Sequence, residues 1–361
     1  MTWPSVSVGN LLRPVPSTSR IKKSCYLSQG ETPVVDQSRT PIAGYTNDRD
    51  AVYSDPLPVV VFGDHTRILK YVDFPFARGA DGTQVLRVDP DTVDPRFFYY
   101  ALHTVDLSSY GYARHFKYLK SESISIPPLS AQRRISAVLA SYDDLIDNNI
   151  RRMALAEEFI HLVFREWFVN LRFPGHERVA IVDGLPEGWQ REQVVSLLAK
   201  LPAKTKIPKK EYQDSGAIPT IDQGREFVGG FTDDLTAMYQ DALLPLVVFG
   251  DHTRILKFID FPFARGADGT QVLSSNRESV STLFLYFALS AIDLSGFGYA
   301  RHFKYLKSEA VVVPTRLHVQ LFDHVAGPAM RQVSLLRMQN QRLRKARDLL
   351  LPRLMDGRIP V

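Results

Sequence analysis

The chain has 361 residues, of which 45% are hydrophobic and 23% charged, the composition of an ordinary globular protein with two or three domains. Its only cysteine, Cys25, excludes an internal disulfide and indicates a reducing, cytoplasmic location. The sequence has neither an apolar run long enough to span a membrane nor an export leader, so we expect no membrane association. The net charge of +5 is compatible with a polyanionic partner but does not establish one.

An internal repeat is the most informative feature of the chain. The segment VVFGDHTRILKYVDFPFARGADGTQVL at 60–86 returns at 247–273 with changes only at Tyr71/Phe258 and Val72/Ile259. A second segment, GYARHFKYLKSE, occurs at 111–122 and again at 298–309. The identical positions are largely polar and basic, whereas the segments between them have diverged. We therefore predict two similar domains that contact two copies of one chemical target.

Each repeat begins with a pattern of short strands. In the first repeat, apolar and β-branched runs predict strands over 59–62, 68–72 and 84–86. Apolar residues spaced by threes and fours then predict a helix over 95–107, with a counterpart over 281–292. These elements predict an α+β fold with two mixed, strand-rich domains.

Each repeat ends in a long amphipathic segment. Apolar positions at helical spacing predict one helix over 131–168 and another over 317–354. A long helix with a single apolar stripe needs a partner, and the chain path favours an antiparallel pair related by an internal pseudo-two-fold. Asn149 and Asn340 lie on or beside the stripes, either buried, where asparagine fixes helix register, or at an exposed edge.

The predicted organisation has five parts. Two strand-rich domains are joined by two long antiparallel helices that act as a coiled-coil spacer. The parts are the first domain at 1–130, the first helical spacer at 131–169, a linker at 170–188, the second domain at 189–316 and the second helical spacer at 317–361.

The first candidate site is the sequence Gly-Asp-His-Thr-Arg, at 63–67 and again at 250–254. An Asp beside a His invites a catalytic or metal-binding interpretation. Neighbours on a strand point apart, however, and no nucleophile or third metal ligand recurs at a fixed spacing. The remaining alternatives are polar groups that stabilise a turn and side chains that read a ligand, since His, Thr and Arg suit base edges and phosphates.

The second candidate site is the basic, aromatic segment that begins at Tyr112 and Tyr299. Basic side chains interleaved with rings are typical of nucleic-acid grooves, and a merely solvated face would have drifted between the repeats. Together the two sites predict twenty DNA-binding residues: Asp64, His65, Thr66, Arg67, Lys70, Arg78, Arg114, His115, Lys117, Lys120, Asp251, His252, Thr253, Arg254, Lys257, Arg265, Arg301, His302, Lys304 and Lys307. No nucleotide-binding loop or acidic nuclease cluster stands out, so we predict no catalytic residue, no metal site and no cofactor.

The layout resembles the specificity subunit of type I restriction-modification systems. The resemblance covers nearly the whole chain. The supporting motifs are DGTQVL at 81–86 and 268–273, GYARHFKYLKS, IPPLSAQRRI at 126–135 and RDLLLPRLMDGRI at 347–359.

The resemblance implies a non-catalytic subunit that binds double-stranded DNA and reads a bipartite, near-palindromic sequence, one half per domain. It also implies that the helical regions dock two methyltransferase subunits and that a separate ATP-dependent restriction subunit completes the complex. Two alternatives stay open at this point. One is a stand-alone restriction or modification enzyme with built-in recognition, and the other is a repeat scaffold that does not bind DNA.

Overall fold

The computed structural model describes residues 3–111, 114–298 and 301–360. The chain divides into two compact units. The first unit comprises Met1–Asn148 and Gln339–Val361, and the second comprises Asn149–Met338. Each unit therefore contains one globular part and a portion of both long helices.

The first unit is built on two small sheets. In an antiparallel sheet, Val59–Gly63 lies between Leu69–Val72 and Thr83–Leu86. A mixed sheet is centred on Phe76–Gly79, which pairs with Arg20–Ile21, Thr32–Val35 and Val52–Tyr53, and Gly44–Thr46 pairs with the far side of Thr32–Val35. Ser5–Ser7 pairs separately with Ser123–Ser125.

The second unit repeats this arrangement. Leu246–Gly250 lies between Leu256–Ile259 and Thr270–Leu273. The mixed sheet is centred on Phe263–Gly266 and contains Lys206–Ile207, Ile218–Ile221, Gly230–Thr232 and Met238–Tyr239. Outside these sheets, the paired strands are Gln190–Gln193 with Ala310–Val313 and Ile181–Val182 with Leu185–Pro186.

The central strand Val59–Gly63 is buried on both faces, which explains why its sequence is continuously apolar rather than alternating. Val60 and Phe62 pack into the cluster formed with the following helix and the first long helix. Val59 and Val61 point the other way and pack against the mixed sheet. The strand therefore holds the loop that follows it between two cores.

The short helices differ slightly from the prediction. Those predicted over 95–107 and 281–292 lie at Pro95–Leu102 and Thr282–Ser290. After Leu102 the chain tightens, because the amides of His103, Thr104 and Val105 donate to carbonyls three residues earlier instead of four. The remaining α-helical turns are Val8–Leu11, Phe116–Ser121, Val194–Leu197 and Phe303–Ser308, and 3-10 turns lie at Lys23–Cys25, Arg49–Ala51, Ser108–Tyr110, His176–Arg178, Lys209–Glu211, Leu235–Ala237 and Asp241–Leu243.

Two long helices follow the predicted segments closely. The first long helix is Leu129–Phe164, continued by a π-helical turn at Arg165–Val169, and the second is Arg316–Met355. The sequence pattern that predicts both helices is the helical spacing of their apolar residues, which forms a single apolar stripe on each helix. Within the described residues, neither of them nor any other helix has an apolar stretch of the length needed to cross a bilayer.

Within each unit the two helices run antiparallel. In the first unit Arg347 pairs with Asp143, and the Asn340 amide donates to the Ile146 carbonyl at 3.2 Å. In the second unit, contacts of Arg337 with Glu157 at 3.2 Å and of Phe322 with Phe164 run in the same antiparallel order. Asn340 is 3% exposed and Asn149 is 0% exposed, so of the two alternatives the buried position is the observed one.

Candidate functional site

The GDHTR loops, residues 63–67 and 250–254, follow the buried central strands of the two units. In the first unit the Asp64 amide donates to the Gly82 carbonyl at 2.6 Å, which joins the loop to the turn between two neighbouring strands. The Asp64 carboxylate is 3% exposed and accepts a hydrogen bond from the Phe116 amide at 2.8 Å. Asp251 makes the equivalent bonds to Gly269 and Phe303. The aspartate therefore ties the loop to the basic segment.

The histidine of the basic segment completes this connection. His115 is 2% exposed, its amide donates to the Asp64 carbonyl at 2.8 Å, and its Nδ1 lies 3.0 Å from the same oxygen. Its Nε2 lies 3.0 Å from the Gly111 carbonyl. His302 is buried in the same way against Asp251. Both ring nitrogens thus face backbone oxygens inside the protein.

Gln37, which the sequence analysis did not select, holds the same loop from the other side. Its side-chain oxygen accepts from the His65 amide at 3.1 Å and its side-chain nitrogen donates to the Asp81 carbonyl at 2.9 Å. Its own carbonyl accepts from the Thr66 hydroxyl at 2.7 Å. Gln223 repeats all three bonds in the second unit. The identity of this glutamine in both repeats was the available signal.

Two further identical cations also use their polar atoms inside each unit. The Lys70 ammonium donates to the Thr40 carbonyl at 2.6 Å, and burial lowers its pKa although Asp36 opposes the shift. Arg78 donates to the Thr83 carbonyl at 2.7 Å from Nε. Lys257 and Arg265 occupy the equivalent positions, and burial lowers the pKa of Lys257 to about 8.

Arg67 differs from these residues because it combines exposure with backbone strain. Its φ is 60° and that of Arg254 is 62°, in the left-handed region that favours glycine. Both side chains are exposed, and one guanidinium N–H of each donates to a carbonyl, that of Leu107 at 3.3 Å and that of Leu294 at 3.0 Å. The same positive φ at a non-glycine residue in both copies marks these arginines as candidates for a functional contact.

The basic segments contain the other exposed cations among the predicted DNA-binding residues. Arg114 and Lys117 are exposed, and the Lys117 ammonium lies 4.5 Å from the centre of the Tyr118 ring. Lys120 lies 5.1 Å from the Phe116 ring centre. Arg301, Lys304 and Lys307 repeat this pattern, with Lys307 less exposed than its counterpart. Tyr112, Ala113, Tyr299 and Ala300 of these segments lie outside the described residues.

A groove of about 770 Å³ borders the GDHTR loop in the first unit. Its lining includes Gln37, Ser38 and Thr66 together with a run of cations that the sequence analysis did not select: Arg20, Lys22 and Lys23. In this groove Tyr26 donates to Asp36 at 3.3 Å, and burial together with that carboxylate raises the pKa of Tyr26 to about 12. The groove thus combines three cations with the carboxylates of Asp36 and Asp81 and with several hydrogen-bonding groups. Such a mixture suits contacts with phosphates and base edges.

The structure thus separates the identical polar residues into two groups. One group connects the loops through hydrogen bonds within the unit: Asp64, Thr66, Lys70, Arg78, His115 and their equivalents. Thr66 and Thr253 make these bonds although they are exposed. The other group is exposed along the loops and comprises Arg67, Arg114, Lys117, Lys120 and their equivalents, while His65 and His252 are half-buried. In the described part of the chain no three His, Cys, Asp or Glu side chains gather as ligands for a metal ion.

These observations define a class: a tandem-repeat protein that presents the same basic loop face on each of two α+β units. Residues 2–157 match the family model described as the type I restriction modification DNA specificity domain. This match spans the first strand-rich domain and most of the first long helix, 156 of the 361 residues.

Two curated relatives carry related descriptions. The type I restriction enzyme MjaIX specificity subunit of Methanocaldococcus jannaschii is 24% identical over 270 residues, which is 67% of this chain and 62% of that protein. The EcoR124I/EcoR124II specificity subunit of Escherichia coli is 27% identical over 113 residues, 31% of this chain and 28% of that protein. The alignments therefore span less than two thirds of each relative's length.

The fold also matches a solved structure. The type I restriction-modification system S subunit from M. genitalium superposes with a TM-score of 0.60 at 14% sequence identity, covering 98% of this chain and 96% of that one. At this identity the match concerns the fold. It agrees with the prediction of two mixed, strand-rich domains joined by long antiparallel helices.

Proposed function

We propose that the chain is the sequence-specific DNA-binding subunit of a type I restriction-modification complex. Each unit reads one half of a bipartite, near-palindromic site in double-stranded DNA. The observation that carries this proposal is the same loop face built twice, with Arg67 and Arg254 held in the same strained conformation. Two equivalent reading faces match two equivalent half-sites, as in other proteins that bind DNA with internal symmetry.

In this proposal the internal and exposed residues have different roles. Arg67 and Arg254 contact base edges, for which a guanidinium with unused N–H donors is suited. Arg114, Lys117, Lys120 and their equivalents contact phosphates. Asp64, Lys70, Arg78, His115 and their equivalents position the loops rather than touch the DNA, because their polar atoms bond to the protein backbone.

The chain binds its target and leaves the chemistry to other subunits. The carboxylate of Asp64 accepts from a backbone amide, which supports a structural role instead of catalysis with the neighbouring histidine. We propose no cofactor for this chain and a cytoplasmic location. Two methyltransferase subunits dock on the helical regions, and an ATP-dependent restriction subunit joins the full complex. The apolar side chains exposed on the two long helices support this docking: Leu145, Leu155, Phe159, Leu162, Leu321, Leu335 and Leu349.

The test is selection of bound duplexes from a randomised DNA library by the full-length chain, followed by affinity measurement at several salt concentrations. We expect one interrupted motif with two closely similar halves and an affinity that falls steeply with salt. Arg178→Ala, which changes an exposed arginine of the second unit outside the candidate site, is the matched control and should leave the motif unchanged.

Other outcomes separate the alternatives. If the chain binds no DNA, the alternative of a repeat scaffold is supported. Methylation or cleavage of DNA by the purified chain alone would support a stand-alone enzyme. Enrichment of a motif with two unrelated halves would contradict equivalent reading faces.

A further inference from the structure

The loops that follow Gln37 and Gln223 connect two neighbouring strands in each unit and differ strongly between the repeats. We call residues 38–43 and 224–229 the variable loops; their sequences are SRTPIA and GREFVG. Only Arg39 and Arg225 agree. These loops directly adjoin the GDHTR loops, since the glutamine before each of them bonds to the histidine amide of the GDHTR loop. A divergent stretch thus lies beside a constant one in each unit.

Equivalent hydrogen bonds hold the backbone of both variable loops. At the start, the amides of Ser38 and Gly224 donate to Asp36 and Asp222 at 2.9 and 2.8 Å. At the end, the amides of Ala43 and Gly229 donate to the strand carbonyls of Val34 and Thr220, both at 2.9 Å. Both ends of the variable loop are therefore held by the same hydrogen bonds in the two units, and the loops differ in their side chains.

The middle of each variable loop is held by the identical lysine. Lys70 donates to the Thr40 carbonyl and Lys257 to the Glu226 carbonyl, in both cases at 2.6 Å. In the second unit the Arg337 guanidinium also lies 3.7 Å from the centre of the Phe227 ring, next to Glu226. Because each lysine binds the backbone carbonyl, the side chain at this position can change while the backbone stays in place.

The chemistry of that side chain differs between the units. Thr40 is exposed, and its hydroxyl lies 2.9 Å from the hydroxyl of Ser38, which lines the groove beside the GDHTR loop. The second unit has no side chain at Gly224 and an exposed carboxylate at Glu226. A carboxylate on a face that binds a polyanion weakens binding unless it accepts a hydrogen bond from the DNA. In the major groove, Glu accepts from the amino group of cytosine, whereas Thr can pair with several bases.

We propose that residues 40 and 226 determine the position at which the two half-sites differ. This inference rests on the proposed function. Glu226 selects a base with an exocyclic amino group, cytosine, in the half-site of the second unit. The hydroxyls of Thr40 and Ser38 accept a different or wider set of bases at the equivalent position of the other half-site. Arg39 and Arg225 contact the phosphate backbone of the DNA, one in each half-site.

The experiment repeats the library selection with the full-length chain and its variants. In the wild type we expect two half-sites that agree except at one position or its neighbours, with cytosine required there in one half. Glu226→Gln should shift that position toward adenine, because an amide can donate and accept toward the adenine edge. Glu226→Thr should convert it to the preference of the other half, and Thr40→Glu should do the reverse. Each shift is expected to change the relative affinity for the two bases about 5-fold to 150-fold.

A charge-matched control separates base selection from general electrostatics. Glu278→Thr removes an exposed carboxylate elsewhere in the second unit and should leave every base preference unchanged. Ratios between bases are compared, so a uniform gain in affinity from the lost negative charge does not affect the result.

The outcomes are distinguishable. If the wild type enriches no motif, the proposed function fails. If it enriches a bipartite motif whose halves are identical, or if neither Glu226→Gln nor Thr40→Glu alters any base preference, only this inference is overturned. A thermal unfolding measurement on each variant shows that an unchanged preference belongs to a folded protein.

Discussion

Replacing Arg67 with glycine should separate DNA recognition from folding. At a φ of 60° arginine carries a conformational cost of about 1–3 kcal/mol that glycine avoids. Glycine also gives the unfolded chain more backbone freedom, which lowers the free energy of unfolding by about 0.5–1 kcal/mol. The substitution also removes the hydrogen bond to the Leu107 carbonyl, which contributes about 0.5–1.5 kcal/mol. These terms nearly cancel, so we expect the free energy of unfolding to change by no more than about 2 kcal/mol.

The effect on binding should be larger and confined to one half of the target. One N–H of Arg67 bonds to Leu107, which leaves enough donors for a two-bond contact with a guanine edge. Loss of that contact costs about 1–3 kcal/mol at one base pair. Arg254→Gly should have the same effect on the other half-site, so each variant is the control for the other.

The assay measures affinities of both variants for a panel of duplexes with single changes in either half, alongside chemical denaturation. The reasoning would be refuted if either variant relaxed both halves equally. It would also be refuted if Arg67→Gly kept full discrimination at every position while remaining folded.

Three further predictions concern other contacts. Lys120→Ala should weaken binding to all sequences alike and reduce the slope of log affinity against log salt by about 0.9, as should Lys307→Ala; a loss limited to one sequence would argue against phosphate contact. Asp64→Ala leaves the Phe116 amide without its carboxylate acceptor, so denaturant titration should show a loss of about 1.5–3 kcal/mol in unfolding free energy, and a neutral result would contradict the structural role. The pKa of Lys257 is about 8 in the folded chain and ordinarily 10.5, so the unfolded chain binds more protons between these values. The free energy of unfolding should therefore gain from this group as pH rises from about 8 toward 10.5, and Lys257→Met should lack that gain when both are unfolded across the range.

Much of the fold could be predicted because its signals are local. The apolar run before Gly63 predicts a strand, and the structure has a strand there that is buried on both faces. The helical spacing of apolar residues placed both long helices within a few residues of Leu129–Phe164 and Arg316–Met355. The boundary of the helix at Pro95–Leu102 was less accurate, because the apolar spacing continues to Val105 although the amides after Leu102 bond only three residues back.

At the candidate site, the available signal in the sequence was the identity of residues between the two repeats. Identity between the repeats extends to Gln37, which the sequence analysis did not select and whose three hydrogen bonds explain its presence in both copies. Identity has the same appearance for a residue that supports a loop and for one that contacts a ligand, since both roles require a specific arrangement of donors and acceptors. The pattern alone therefore placed Asp64 and Arg67 in one group.

The sequence by itself determined the repeat, the strand and helix segments and the chemical character of the two loop faces, since these follow from residue types and their spacing. Only the tertiary structure decided which polar groups are used inside each unit. Asp64 and Phe116 meet although they are far apart in the chain, and Lys70 bonds to the carbonyl of Thr40, 30 residues earlier. Burial forces such groups to find partners within the protein, because an unsatisfied polar group away from water is costly. Arg67 stays at the surface in a strained conformation, and that combination exists only in three dimensions.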